Sequence, residues 1–131
     1  MSLAWTDAVP EVGEYLELRR LAGLPRPSPT AAAAGLRGTL HAVCARARGR
    51  LVGLGRIVGD GGCFVQVVDI AVDPDFRGQG IGTAILGRLL DWADTELPAT
   101  CQVGMIADPG TFALCKRAGF EIRTGMARIT Q

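Results

Sequence analysis

The feature that most constrains this chain is a change of hydrophobic period on either side of residue 77. Val65 to Val72 is a mainly apolar run that Asp69 interrupts with a charge, and Pro74 ends it; a short apolar run bounded by a breaker reads as a buried strand. Thr83 to Thr95 instead places Ile85, Leu86, Leu89, Leu90 and Trp92 on one side at helical spacing. Between them lies Arg77-Gly78-Gln79-Gly80-Ile81-Gly82. Glycines in such a joint let the backbone approach a ligand and turn successive N–H groups into one concavity. The helix that follows adds free N–H groups and the positive end of its dipole, a combination suited to a pyrophosphate. No Gly-Lys-Ser/Thr follows, so this is not a Walker loop, and the Gly-x-Gly-x-Gly spacing departs from the dinucleotide fingerprint.

The rest of the chain builds a sheet around that joint. Leu40 to Ala45, Leu51 to Val58 and Cys63 to Val72 are strand-type runs joined by Arg48-Gly49-Arg50 and Gly59-Asp60-Gly61-Gly62, which is the turn chemistry of an antiparallel meander. Gly53-Leu54-Gly55 lies inside a strand and reads as a bulge or a close packing site. Upstream, Val9 to Leu21 has helical spacing with Asp7 as cap and Pro10 in the first turn, and Ser28-Pro29 opens an alanine-rich helix to about Leu36. Downstream, Cys101 to Ala107 reads as a fourth core strand. Thr111 to Ala118 reads as a short helix ended by Gly119, and Phe120 to Arg123 and Met126 to Thr130 as two final strands around Thr124-Gly125. The expected fold is α+β, a mixed, mostly antiparallel central sheet flanked by helices.

At 131 residues the chain is sized for one domain spanning 1–131. A net charge of +1 argues against phosphate-driven nucleic-acid binding, and Arg19, Arg20, Arg46, Arg48 and Arg50 read as solvated. No apolar run approaches the ~20 residues of a membrane helix. Cysteines at 44, 63, 101 and 115 form no Cys-x-x-Cys pair and have only His41 to join them, so no metal site is expected. Cys44, Cys63 and Cys101 read as core, His41 as packing or surface, and reduced thiols fit a cytoplasmic setting.

The phrase from Val68 through Asp69-Ile70-Ala71-Val72-Asp73-Pro74-Asp75-Phe76 to Arg77-Gly78-Gln79-Gly80-Ile81-Gly82-Thr83 resembles the GCN5-related N-acetyltransferase (GNAT) family. The family hallmark Arg/Gln-x-x-Gly-x-Gly/Ala is matched by Arg77, Gly80 and Gly82. Ala113-Leu114-Cys115-Lys116-Arg117-Ala118-Gly119-Phe120 resembles its second landmark, a short helix ending in Gly-Phe. The resemblance runs from about residue 9 to 130. It implies an acetyl-CoA-dependent enzyme that acetylates a primary amine of a small molecule by direct attack. It also implies that the backbone of Ile70, Ala71 and Val72 holds the pantetheine arm and acetyl group. Arg77, Gly78, Gln79, Gly80, Ile81, Gly82 and Thr83 would hold the pyrophosphate. Asp108 stands where many members carry a cofactor-contacting asparagine, and is a departure.

That mechanism needs an acid for the leaving thiolate and a base for the amine. The usual acid is a tyrosine four residues before the Gly of Gly-Phe, and here that position is Cys115. A free thiol, with a pKa near 8.5, matches the basicity of a thiolate leaving group; the alternative is a small packed residue. Tyr15, the only tyrosine, lies on the first helix, which by resemblance borders the acceptor, and reads as either acceptor contact or packing. Asp69 is the candidate base and amine contact, placed by strand alternation alongside Val67 and Ala71. An ion pair with an arginine such as Arg56 is its other reading. A sensor with the same fold that binds acetyl-CoA without turnover is the competing function, favoured by the missing tyrosine. The last run, Met126 to Thr130, leaves an edge able to pair across a homodimer.

Overall fold

The computed structural model describes residues 2–131. Its sheet has five strands in sequence order: β1 (Ala4–Thr6), β2 (His41–Ala47), β3 (Arg50–Gly59), β4 (Phe64–Val72) and β5 (Gln102–Met105). The first four pair antiparallel, as the turn residues at 48–50 and 59–62 require, and β5 joins β4 in parallel. Helix α3 (Ile81–Glu96) covers one face, burying Ile81, Ile85, Leu86, Leu89 and Ala93 against Val43, Ala45, Val52, Ile57, Val65 and Val67. Helices α1 (Val12–Leu21) and α2 (Pro29–Arg37) cover the other, with Tyr15, Leu18, Ala32 and Leu36 over Cys44, Leu51, Leu54 and Ala71. A short α4 (Phe112–Arg117) follows β5. The fold is thus α+β on a mixed, mostly antiparallel sheet.

The missing side chains of Gly53 and Gly55 let α3 lie close to the sheet. A Cβ on Gly55 would sit 2.5 Å from Ile85 Cγ2 and 2.8 Å from Leu89 Cδ1, and one on Gly53 3.0 Å from Ile81 Cγ2. Both glycines are close-packing sites, and Gly55 also faces an irregularity in β4. Leu54 pairs with Ala71 and Arg56 with Val68, so β4 carries one residue more than β3 over that interval. Asp69, at φ +63°, lies in this bulge. The extra residue inverts the alternation: Val65 and Val67 face α3, whereas Ala71 faces α1 and α2. Asp69 therefore shares a face with Ala71 but not with Val67, which corrects the strict alternation expected of a regular strand.

Several boundaries shift. Helix α1 begins at Val12, leaving Asp7 and Pro10 outside; its first turn is closed by Glu14, whose Oε2 accepts the Glu11 N–H at 3.0 Å. Ser28 does cap α2, accepting from the Ala31 N–H at 3.1 Å. Strand β5 is shorter than the apolar run suggested, and Cys63 is exposed rather than core. His41 stacks on Trp92 with ring centroids 4.7 Å apart, and burial lowers its pKa. The two final strands do not form: the described residues from 120 to 131 carry no strand. A strand needs a partner, and this segment has none within its own chain.

Candidate active site

Strands β4 and β5 pair only from Phe64–Gln102 to Val67–Met105. Past that point they diverge, and the β5-facing edge of β4 from Val68 to Val72 has no strand partner. The gap is a cleft of about 660 Å³. One wall is Val67 to Val72; the opposite wall runs from Met105 through Ile106, Ala107 and Asp108 to Thr111, Leu114 and Cys115. Gly78, Gly80, Ile81, Gly82 and Thr83 form its floor, and Arg19, Ala22 and Leu24 reach it from α1 and the loop after it.

The floor is built for an anion. Gly78 and Gly80 adopt φ +81° and +76°, a left-handed conformation that costs an L side chain energy and that glycine accepts. The first bond of α3 runs from the Ala84 N–H to Gly80 O at 3.0 Å. The N–H groups of Ile81, Gly82 and Thr83 therefore precede the helical ladder and point off its end. No side chain caps this helix, so nothing competes for them. A Cβ on Gly80 would meet nothing within 4 Å, so ligand space is open there. Arg77 lines the same end and donates from Nη2 to Ala22 O at 3.3 Å. Ahead of the turn, buried Asp73 accepts the Asp75 N–H at 2.9 Å and pairs with Arg50 at 2.7 Å. Burial pushes its carboxyl up, but these two donors outweigh it and the pKa falls.

At the far end of the cleft, the bulge aims Asp69 at α1. Its carboxylate accepts from the Tyr15 hydroxyl at 3.0 and 3.1 Å, from Arg56 Nε at 2.7 Å, and from Arg19 Nη1. Of the two roles read from sequence, the ion pair with Arg56 is present. Its side chain is only 6% exposed. Arg56 is also buried, and its Nη1 donates to Gly35 O and Thr39 Oγ1. Burial and the neighbouring carboxylate raise the Tyr15 pKa, despite Arg19 and Arg56.

The structure thus brings Asp69, Ile70, Ala71, Val72, Arg77, Gly78, Gly80, Ile81, Gly82, Thr83, Asp108 and Cys115 to one cleft. Tyr15 stands behind its wall, joined through Asp69, and Gln79 lies outside the lining. Cys115 is 6% exposed, where the packing of α4 meets the cleft. Sequence reading missed Arg19 by treating it as solvated. Its position four residues after Tyr15, on the same helix face, was the available signal. Arg46 and Arg50 are likewise paired, with Glu14 and Asp73.

The chain matches the acetyltransferase (GNAT) family over residues 10–120. It belongs to that family. Among solved structures it is similar to the Staphylococcus aureus protein of unknown function SA2161, described as a probable acetyltransferase. The two are 31% identical with a TM-score of 0.90, over 99% of this chain and 100% of that one. A GNAT family acetyltransferase of Streptococcus pneumoniae, SP0256, is 26% identical with a TM-score of 0.77, over 99% and 98% of the two chains. The chloroplastic GCN5-related N-acetyltransferase 1 of Arabidopsis thaliana is 30% identical over 71 residues, which are 54% of this chain and 35% of that protein. The chain spans well under half the length of the curated relatives it matches. No helix among the described residues is long and apolar enough to cross a membrane.

Proposed function

We propose that this chain is an acetyl-CoA-dependent N-acetyltransferase that passes the acetyl group to the primary amine of a small molecule by direct attack. The observation that carries this reading is the unpaired edge of β4, Val68 to Val72, running from the Asp69 cluster to the glycine turn. Acetyl-CoA supplies the reactive thioester. Backbone groups of Ile70, Ala71 and Val72 would hydrogen-bond its pantetheine arm, and the Gly78 to Thr83 turn with Arg77 would hold its pyrophosphate. Asp108, an exposed carboxylate on the opposite wall, suits the amide N–H groups of that arm better than its phosphates. Four free cysteines suit a reducing, cytoplasmic setting.

In this reading Cys115 is the acid: its S–H bond breaks, the proton passes to the departing CoA sulfur, and water later restores the thiol. Asp69 already accepts from three side chains, so its role is to hold Arg19 and Tyr15 at the acceptor end. The amine then loses its proton to water at the cleft mouth. Two guanidiniums face one carboxylate in this cluster, and only Arg19 reaches the cleft. That surplus positive charge favours an amine whose molecule also carries a carboxylate or phosphate.

Release of free CoA across a panel of anionic, neutral and cationic amines tests the reading, with Cys115→Ala beside the wild type. A general acid contributes ~100-fold or more, so the variant should lose that much kcat while its acetyl-CoA affinity stays unchanged. A drop under about threefold rejects Cys115 as the acid. The competing reading, a sensor that binds acetyl-CoA without turnover, draws on the same cysteine in the tyrosine position. Tight acetyl-CoA binding with no CoA release from any amine would establish it instead.

A further inference from the structure

Two of the free cysteines, Cys63 and Cys101, meet at the end of the β4–β5 seam that points away from the cleft. Pairing in that parallel seam begins at Phe64–Gln102, so the residues one step before it are the next opposed pair. The ladder reaches them, because the Gln102 N–H donates to Cys63 O at 2.8 Å. Neighbouring strands run about 4.8 Å apart, within the Cα separation of roughly 4.4–6.8 Å that a disulfide spans.

Both side chains belong to one face of the sheet. Residues two apart along a strand share a face. Val65 and Val67 face α3, and Cys101, Val103 and Met105 pack against that same core. Cys63, two residues before Val65, therefore stands on the side of Cys101. Each backbone is held by its own turn. Asp60 Oδ1 accepts the N–H groups of Gly62, Cys63 and Phe64 at 2.8, 2.8 and 3.1 Å, and the Cys101 N–H donates to Pro98 O at 3.3 Å. The two thiols differ in access: Cys63 is exposed and Cys101 half-buried. Burial, then the charges of Asp60 and Cys63, raises the Cys101 thiol pKa and makes it the poorer first nucleophile.

We propose that Cys63 and Cys101 are a redox-active pair, which a low-molecular-weight disulfide of the glutathione type converts to an internal disulfide across the β4–β5 seam. The Cys63 sulfur attacks one sulfur of the oxidant, whose S–S bond breaks; the first thiol leaves with the Cys63 proton. Cys101 then attacks the Cys63 sulfur, its own proton goes to the second departing thiol, and the internal S–S bond forms. Both cysteines are oxidised and one oxidant molecule is reduced to two thiols. Excess thiol runs the same steps backwards. Only four residue pairs, Phe64–Gln102 to Val67–Met105, join β5 to the sheet before the strands diverge into the cleft. A covalent link at one end of so short a seam would fix the wall that Met105 contributes to the cleft.

The test is peptide mapping of the reduced full chain after incubation with oxidised glutathione and blocking of the remaining thiols, without any activity readout. The wild type should lose about 2 Da, protect Cys63 and Cys101 together in one linked peptide pair, and revert with dithiothreitol. Cys101→Ser should stall as a glutathione adduct on Cys63. Cys63→Ser, a change at an exposed position outside the cleft, should fold as the wild type does and leave Cys101 open to the blocking reagent. In the oxidised wild type, amide exchange across Gln102–Met105 should slow by about tenfold or more. A wild type that stops at the Cys63 adduct, a bond to Cys44, Cys115 or a second copy, or unchanged exchange in β5 after oxidation would each overturn the proposal.

Discussion

The two walls of the cleft are built to different standards. The β4–α3 side is finished within one chain: α3 buries five side chains, the sheet glycines bring it close, and the bulge is held by three donors. On the β5–α4 side, α4 buries Cys115 alone, β5 has four residues and one neighbour, and the tail has no strand partner. In the proposed reaction, the contrast separates a well-packed wall that would grip acetyl-CoA from a less supported one that would meet the departing thiol. Rigid support on the cofactor side fixes geometry, while the other side keeps room to adapt.

Substitutions should divide along that line. The largest effect is expected at Asp69→Asn. Removing one partner from a buried pair costs about 3–5 kcal/mol, so urea denaturation should show a loss of at least ~2 kcal/mol, with both guanidiniums left facing each other. A loss under ~1 kcal/mol would mean the cluster is solvated and the wall not rigid. Next, a ligand at one hundred times its Kd adds ~2.7 kcal/mol. Gly80→Glu, which forces a side chain into φ +76° and sets a negative charge beside the pyrophosphate, should erase the acetyl-CoA thermal shift. A full shift in that variant removes the turn from the binding site. Overpacking costs about 1–3 kcal/mol, and Gly55→Ala drives a methyl against Ile85 and Leu89, so its Tm should fall accordingly. By contrast, Gly119→Ala strains a left-handed residue at the end of α4, a penalty of about 1 kcal/mol. Hydrogen exchange should show it confined to α4 and the tail; spread into α3 would break the comparison.

The smallest effect is a pH dependence at the start of α1. Hydrogen bonding to Arg46 holds the Glu14 carboxyl below its usual value, against the opposing effect of burial. A depressed folded pKa contributes stability that is present above the unfolded value of about 4.3 and lost as pH falls through the folded one. Partly exposed pairs contribute under about 1 kcal/mol. Glu14→Gln should therefore trail the wild type slightly at pH 6 and draw level with it as acid protonates Glu14, as read from denaturant midpoints.

What was legible in the sequence follows the same division. Meander, glycine turn and α3 are local: each is set by a period, a turn residue or a breaker, and β2, β3, β4 and α3 stand where those signals put them. The helix face of Arg19 was legible but its pairing was not, because its carboxylate partner lies fifty residues away in sequence. Nor was the bulge, which comes from a pairing mismatch between two strands that each look regular. The tail marks a third limit. Its composition specifies strand, but a strand exists only against a neighbour, and the neighbour is not set by local sequence.

The bulge has a consequence for how this chain can change over time. Because one surplus residue at 69 shifts the reading frame of β4, the same strand serves the α3 core with Val65 and Val67 and the α1–α2 core with Ala71. Deleting that one residue would restore simple alternation, removing Arg19's partner and turning either end of the strand inside out. Gly61 and Gly62, in the turn before β4, lie outside both frames. Length variation among descendants of this sequence should therefore collect at such turns and be purged from the middle of β4, so that a spacing of eleven residues from Asp69 to Gly80 is inherited as one unit.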